Sequence, residues 1–429
     1  MKSKVLLNIL VISLVLIMGS IISSSAAEKT VIEVWTFVNP IGEDVRSMAH
    51  NHIRESFEEK YPDIEVKVNV VSWKEIDPML LRAVKAGVAP DVVEFYQPSF
   101  QLHVSAGTIQ PLDRFVADWS DEQKNDFLVP WETTIVNGHK YSFNYEHRVS
   151  GMLYRKDILE KEGLKKPNSL QELGEIAGKL NNPPKLVGFS RGMNVVDALG
   201  GIEFAIPIAA SEGGKLINED GTAAFNSPAW EKTLQYWVDL VVGKYKAMPL
   251  DVALGESAEA FDLVLSGLSV FHPSLSHRIQ HAQETSGLGE KMGFMELPSF
   301  KEGKPSPMYS QGWMLAIPEG AKNPEAAWKY IEHFVSTESQ AYLSEHCGYL
   351  PVRKSVIDTP WFDTPEAETM RFLLELFIRS DVVSIVIPEQ FTEISTYIGE
   401  AFVKAIRQEA SPKEALTEAA NKWNEKFAR

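Results

Sequence analysis

The sequence predicts an α/β protein of two domains, each built on a mainly parallel sheet flanked by helices. Three observations carry this. Apolar patterning switches repeatedly between strand and helix periods, the grammar of parallel strands joined by covering helices. The 429 residues suffice for two domains of ordinary size. No low-complexity linker and no repeat of fixed period interrupts the chain, so ordinary loops join the two units.

The elements follow in order. Residues 30–37 alternate Val31, Glu33 and Trp35 against Ile32, Val34 and Thr36, a strand broken by Asn39-Pro40-Ile41-Gly42. Val45, Met48, Ala49, Ile53 and Phe57 recur at helical spacing up to Tyr61-Pro62. A strand over 64–71, a helix over 75–86 closed by Gly87 and a strand over 91–95 complete the first run. Strands over 140–145 and 151–154 come next, then a helix over 169–180 with Ser169 at its cap and Glu172 three residues on. A strand is expected over 185–189, and Gly200-Gly201 is expected to end any helix after it. A helix over 228–242 carries Trp230, Leu234, Trp237, Val238 and Val241, and residues 314–317 form a strand. Asn323-Pro324 opens a helix through Phe334. Two tail helices follow, one carrying Ile394, Ile398, Phe402 and Ile406, the other starting at the capping box Ser411 to Glu414.

The first 27 residues read as an address. Lys2 and Lys4 precede an apolar run over 5–18, and Ser25-Ala26-Ala27 offers small residues for cleavage after Ala27. The run is shorter than the roughly 20 residues that span a bilayer. No cysteine follows it to take a lipid anchor, so a periplasmic or extracellular protein is expected. Cys347 is the only cysteine, which excludes an internal disulfide and leaves stability to a core drawn from 44% apolar residues. Losing Lys2 and Lys4 leaves 40 basic residues against 58 acidic ones, a net charge of −18. Such a surface repels phosphate backbones, so no nucleic-acid partner is expected. Neither a cysteine cluster nor a calcium loop appears, and no metal site or cofactor is expected. Walker and dinucleotide fingerprints are missing as well. Gly188-Phe189-Ser190-Arg191-Gly192 spells the nucleophile elbow of hydrolases, but that motif needs a long helix directly after it. No catalytic residue is therefore assigned.

A series of blocks resembles the family 1 extracellular solute-binding proteins, the group that contains maltose-binding protein. Phe57-Glu58-Glu59-Lys60-Tyr61-Pro62-Asp63-Ile64-Glu65-Val66 is similar to the family's opening helix, Tyr-Pro turn and strand. Ala86-Gly87-Val88-Ala89-Pro90-Asp91-Val92, the block from Ala106 to Asp113, Gly138 to Phe143 and Leu153 to Asp157 follow in family order. Gly214, Phe225 to Pro228, Lys322 to Trp328, Gly348 to Arg353 and Ser411 to Leu416 complete the set. Ser142 stands where members often carry proline, which leaves the local hinge geometry open.

The resemblance implies the two-lobed, type II fold of periplasmic binding proteins, with a hinged cleft between lobes. The lobes are expected over 28–141 plus 310–346 and over 142–309 plus 347–429. It also implies the substrate-binding subunit of an ABC-type importer, a monomer that binds a sugar, oligosaccharide or polyol and passes it to membrane permease subunits. A secreted glycoside hydrolase is the alternative, although no sequence rule pairs two carboxylates across a cleft.

Sugar binding needs aromatic faces for C–H surfaces and planar polar groups for hydroxyls. At strand carboxyl ends in the first lobe stand Asn39, Tyr96 and Gln97. Near the first crossing Glu146 and Arg148 either bond ligand hydroxyls or pair with each other. In the second lobe His272 and Ser274 are expected on a loop after a strand, to face ligand or merely to cap a helix. Gly312 permits close backbone approach, and Trp313 either stacks on ligand or packs in the core.

Overall fold

The structure is a computed structural model that describes residues 29–195, 198–308, 310–379 and 390–427. The expected signal peptide, 1–27, lies outside the described residues.

The chain opens with β1 (Thr30–Thr36), α1 (Val45–Lys60), β2 (Ile64–Val70), α2 (Ile76–Ala86) and β3 (Val92–Tyr96). Asp44 caps α1 by accepting from the N–H groups of Arg46 and Ser47. Gly87 ends α2 at φ 70°, the left-handed conformation that glycine adopts without penalty. The single strand expected over 140–145 is two pieces. Asn137 and Gly138, at φ 52° and 84°, turn His139–Lys140 back onto Ile135–Val136. Two such residues in succession match the type I′ hairpin. Next come β4 (Phe143–Asn144) and β5 (Arg148–Arg155).

The second half supplies α3 (Leu170–Leu180), β6 (Val187–Phe189), α4 (Ala198–Ser211), α5 (Pro228–Val241), β7 (Ser269–Leu275) and β8 (Met292–Met295). It continues with β9 (Ser310–Gln311), β10 (Trp313–Ala316), α6 (Pro324–Phe334), α7 (Thr337–Cys347), α8 (Phe391–Ile406) and α9 (Pro412–Phe427). Gly200-Gly201 does not end a helix: α4 runs through both glycines and Pro207. Ile202, Phe204, Ala205, Ile206, Ile208 and Ala209 are all buried, and at Gly201 a side chain would collide with Met193. Burial on nearly every side outweighs local propensity here.

Two sheets organise the molecule. The first has the order β2-β1-β3-β10-β4, parallel through β2, β1 and β3 and antiparallel where β10 joins. The second has the order β8-β5-β7-β6 with β9 also on β5, and only β6 and β7 are parallel. Both sheets are thus mixed, the second more so than expected, because β5 enters from the first half and runs against its neighbours.

Each sheet has its own core. Ile32, Phe57, Phe95, Trp313 and Phe334 belong to the first. Trp230, Trp237, Phe402 and Trp423 belong to the second, so α8 and α9 close the second unit. A smaller cluster joins Val149, Phe261, Leu350 and Phe377. The chain leaves the first sheet between Asn144 and Arg148 and returns between Gln311 and Trp313. Phe143 and Asn144 still pair in the first sheet, and Ser310 and Gln311 pair in the second, each pair beyond the boundary expected from sequence.

Candidate ligand-binding cleft

The first-sheet side of the seam is set by register. Trp313 on β10 lies opposite Tyr96 at the end of β3, their ring centroids 5.3 Å apart. Phe37, just past β1, packs on Trp313 at 4.1 Å. The Gln97 N–H donates to the Gly312 carbonyl at 3.0 Å, and the Asn144 side-chain amide donates to Gln97 Oε1 at 3.0 Å. A Cβ at Gly312 would overlap the Glu146 carbonyl oxygen, so glycine is required for this approach.

Across the seam stand charged groups. Arg148, opposite Gln311, places Nη2 2.5 Å from Glu146 Oε1. The Tyr96 hydroxyl donates to Glu203 of α4 at 3.0 Å and also bonds Gln311, so one side chain ties the two halves together. Burial pushes the Glu203 carboxyl up, against the pull of Arg191, Gln311 and Tyr96. Burial also pushes His272 and His277 well below the usual imidazole value, helped by Arg191 and Arg278 at the first and by Arg148 and Arg278 at the second. Burial opposes the charge on Arg46, but Tyr349, Glu146, Tyr145 and Glu94 hold it on.

The expected site residues sort into two groups. Tyr96, Gln97, Glu146, Arg148, Gly312 and Trp313 are brought together. His272 and Ser274 do not lie on a loop: β7 extends to Leu275, with His272 opposite Leu153 and Ser274 opposite Gly151. Pro273 signals a strand end in sequence, but it is accommodated opposite Met152. Ser274 donates to the Leu275 carbonyl, and exposed Asn39 accepts from the Ile41 N–H within its own turn. Trp313 is 4% exposed and belongs to the first core, and Glu146 is fully buried. These groups line a closed seam rather than an open crevice. Small hollows of about 20 Å³ each border it, one lined by Thr36, His50 and Glu94, the other by Trp131, Asn144 and His147.

Burial leaves several seam groups without a protein hydrogen bond: Glu146 Oε2, Arg148 Nε, Gln311 Nε2 and Trp313 Nε1. His147 Nδ1, His272 Nε2, His277 Nδ1 and the Tyr349 hydroxyl share that condition. Each such group costs about 1–3 kcal/mol when nothing satisfies it. Sequence reasoning missed Arg46, Glu203, His277, Gln311 and Tyr349. Glu203 alone carried a visible signal, a carboxylate inside an apolar helix.

Two sheets, each with its own core, meeting at a polar seam make this a two-lobed α/β fold. Residues 52–369 match the bacterial extracellular solute-binding proteins, and the chain belongs to that family. A mannitol-binding protein of Pseudomonas aeruginosa is 23% identical over 407 residues, covering 85% of this chain and 86% of that protein. YcjN of Escherichia coli, a putative ABC transporter periplasmic-binding protein, is 23% identical over 422 residues, covering 94% and 93%. A maltose-bound MalE3 of T. maritima superposes with a TM-score of 0.78 at 23% identity, covering 92% of this chain and 99% of that one. A tagatose-bound solute-binding protein of Thermotoga lettingae gives 0.78 at 22% identity, covering 92% and 99%.

Proposed function

We propose that this chain is the exported substrate-binding subunit of an ABC-type importer, taking a sugar, oligosaccharide or polyol between its two halves. One observation carries the reading. Buried donors and acceptors without protein partners gather at the seam beside the Phe37, Tyr96 and Trp313 rings. Hydroxyl-rich ligands supply both kinds of partner, and aromatic faces cover their C–H surfaces. Relatives named for mannitol and maltotriose, and neighbours bound to maltose and tagatose, support the ligand class. Tyr96, Gln97, Glu146, Arg148, His272, Gly312 and Trp313 are the residues proposed to hold the ligand or shape its site.

The work is conformational. Ligand contacts to both halves favour the closed form, which membrane subunits then recognise. The chain acts as a monomer, is cleaved after Ala27 on export, and performs no reaction on its ligand. A thermal-shift screen against maltose, mannobiose, tagatose, mannitol and ribitol tests this. A binder at 100 times its Kd adds about 2.7 kcal/mol to stability, and the sugar is recovered unchanged. If none of them raises Tm, the sugar reading fails. Turnover of an aryl glycoside would point to the hydrolase instead.

A further inference from the structure

The residues around His272 form a hydrogen-bond chain whose direction can be worked out atom by atom. Ser190 follows β6, Ser269 opens β7 and His272 lies three residues further along β7. All three are buried, at 0%, 2% and 1% exposure. The Ser269 hydroxyl contacts the Phe271 carbonyl at 3.1 Å. A carbonyl can only accept, so the one Ser269 proton is used there. Ser190 Oγ lies 2.8 Å from Ser269 Oγ, and that bond must take its proton from Ser190. Ser190 has then no proton left for His272 Nδ1, 2.9 Å away, so the ring must donate. Reversing the chain would forfeit one hydrogen bond in a site that water does not reach.

A neutral imidazole with its proton on Nδ1 presents a bare lone pair at Nε2. That atom is buried and has no protein partner. The ring lies beside the seam: it and the Arg278 guanidinium both pack on Phe261, and Arg191, next to Ser190, covers Phe204 beside Glu203, which bonds Tyr96. A second proton on the ring is opposed by burial and by both guanidinium groups. We propose that Ser190 and Ser269 lock His272 in the tautomer that carries its proton on Nδ1, leaving Nε2 as a fixed acceptor for a hydroxyl of the bound sugar. Ser190 and Ser269 are positioning residues, and His272 makes the contact. The site then selects ligands with an O–H at that point and rejects those that present only an acceptor there, because two lone pairs cannot share a proton. This rests on the sugar-binding reading above and adds to it the polarity of one contact.

The test uses the full chain labelled with ¹⁵N-histidine, His272 being assigned by the resonances lost in His272→Gln. In the ligand-free protein at neutral pH, His272 Nδ1 is expected in the protonated range of nitrogen shifts and Nε2 in the bare range. Ser190→Ala and Ser269→Ala are expected to move both resonances toward averaged positions as the tautomers interconvert. A proton found on Nε2 in the wild type overturns the proposal, as does an unchanged tautomer in both variants. If either variant fails to fold, the wild-type spectrum still decides. Any of the five sugars that raises Tm should move the Nε2 resonance and leave Nδ1 in place. A sugar that raises Tm without moving Nε2 removes His272 from the contact. Failure of the underlying reading shows separately, in melting curves that no sugar shifts.

Discussion

A methyl group at Gly312 has nowhere to go, because the Glu146 carbonyl oxygen occupies its space. Gly312→Ala should therefore push β10 away from the chain crossing. A loss of about 1–3 kcal/mol is expected in urea unfolding, together with weaker sugar binding; a stable variant with intact affinity would contradict the close approach. Trp313 has two jobs that one truncation cannot separate. Trp313→Ala should weaken binding more than tenfold and also cost about 3–5 kcal/mol from the core. Trp313→Phe keeps an aromatic ring against Phe37 but loses Nε1 and part of the fused ring. It should cost less stability than the alanine variant, so an affinity loss as large as that of Trp313→Ala would report the indole contact rather than the core.

At the scale of elements, the bond from Tyr96 on β3 to Glu203 on α4 joins parts 107 residues apart. Tyr96→Phe removes the donor from a buried carboxylate, at a cost of about 1–3 kcal/mol charged to the closed form. Small-angle scattering of the ligand-free variant should show a larger radius of gyration than the wild type; an unchanged radius would mean that this tie does not hold the halves. Glu94 links β3 to β1 and to the chain crossing, through Thr36 and Tyr145. Burial pushes its carboxyl up to about 7 from the usual 4.5, although both hydrogen bonds and Arg46 pull it down. The native state thus holds a proton that the unfolded chain has already released. Its stabilisation is full below about 4.5 and is lost as pH rises through about 7, with a slope of up to about 1.4 kcal/mol per pH unit. Urea midpoints of wild type and Glu94→Gln across that window should diverge with this sign, and parallel curves would refute it.

Over the whole molecule the opposite titration comes from histidines. Burial pushes His147 down to about 4 and, with Arg46, His50 down to about 3. His272 and His277 are pushed down as well. The unfolded chain binds these protons first, so their contribution is present above about 6.5 and is lost as pH falls toward 4. Acid should therefore unfold the protein before its carboxylates are fully protonated, and replacing His147 by Gln should move the acid midpoint down. A midpoint that stays fixed would assign the acid transition to other groups. Ligand closure works at the same scale, since the two halves have separate cores, so the bound sugar should raise Tm and shrink the radius of gyration together.

Local patterning by itself determined the run from β1 to β3, the caps at Ser169 and Ser411, and the four long helices of the second half that carry regular apolar spacing. Each depends on contacts within a few residues, where period and turn chemistry are written directly. Family resemblance in ordered blocks added the two-lobed plan. Tertiary structure alone decided the rest. Gly200-Gly201 stays helical because α4 is buried, Pro273 stays in β7 because β5 receives it, and Asn137-Gly138 was a hairpin signal left unread. The seam is the clearest case: Tyr96 finds Glu203 and Gln311, the latter 215 residues away, and Ser190 finds His272 across 82. Nothing local encodes such pairings, because burial and charge balance at a seam are properties of two surfaces meeting, not of either strand that forms them.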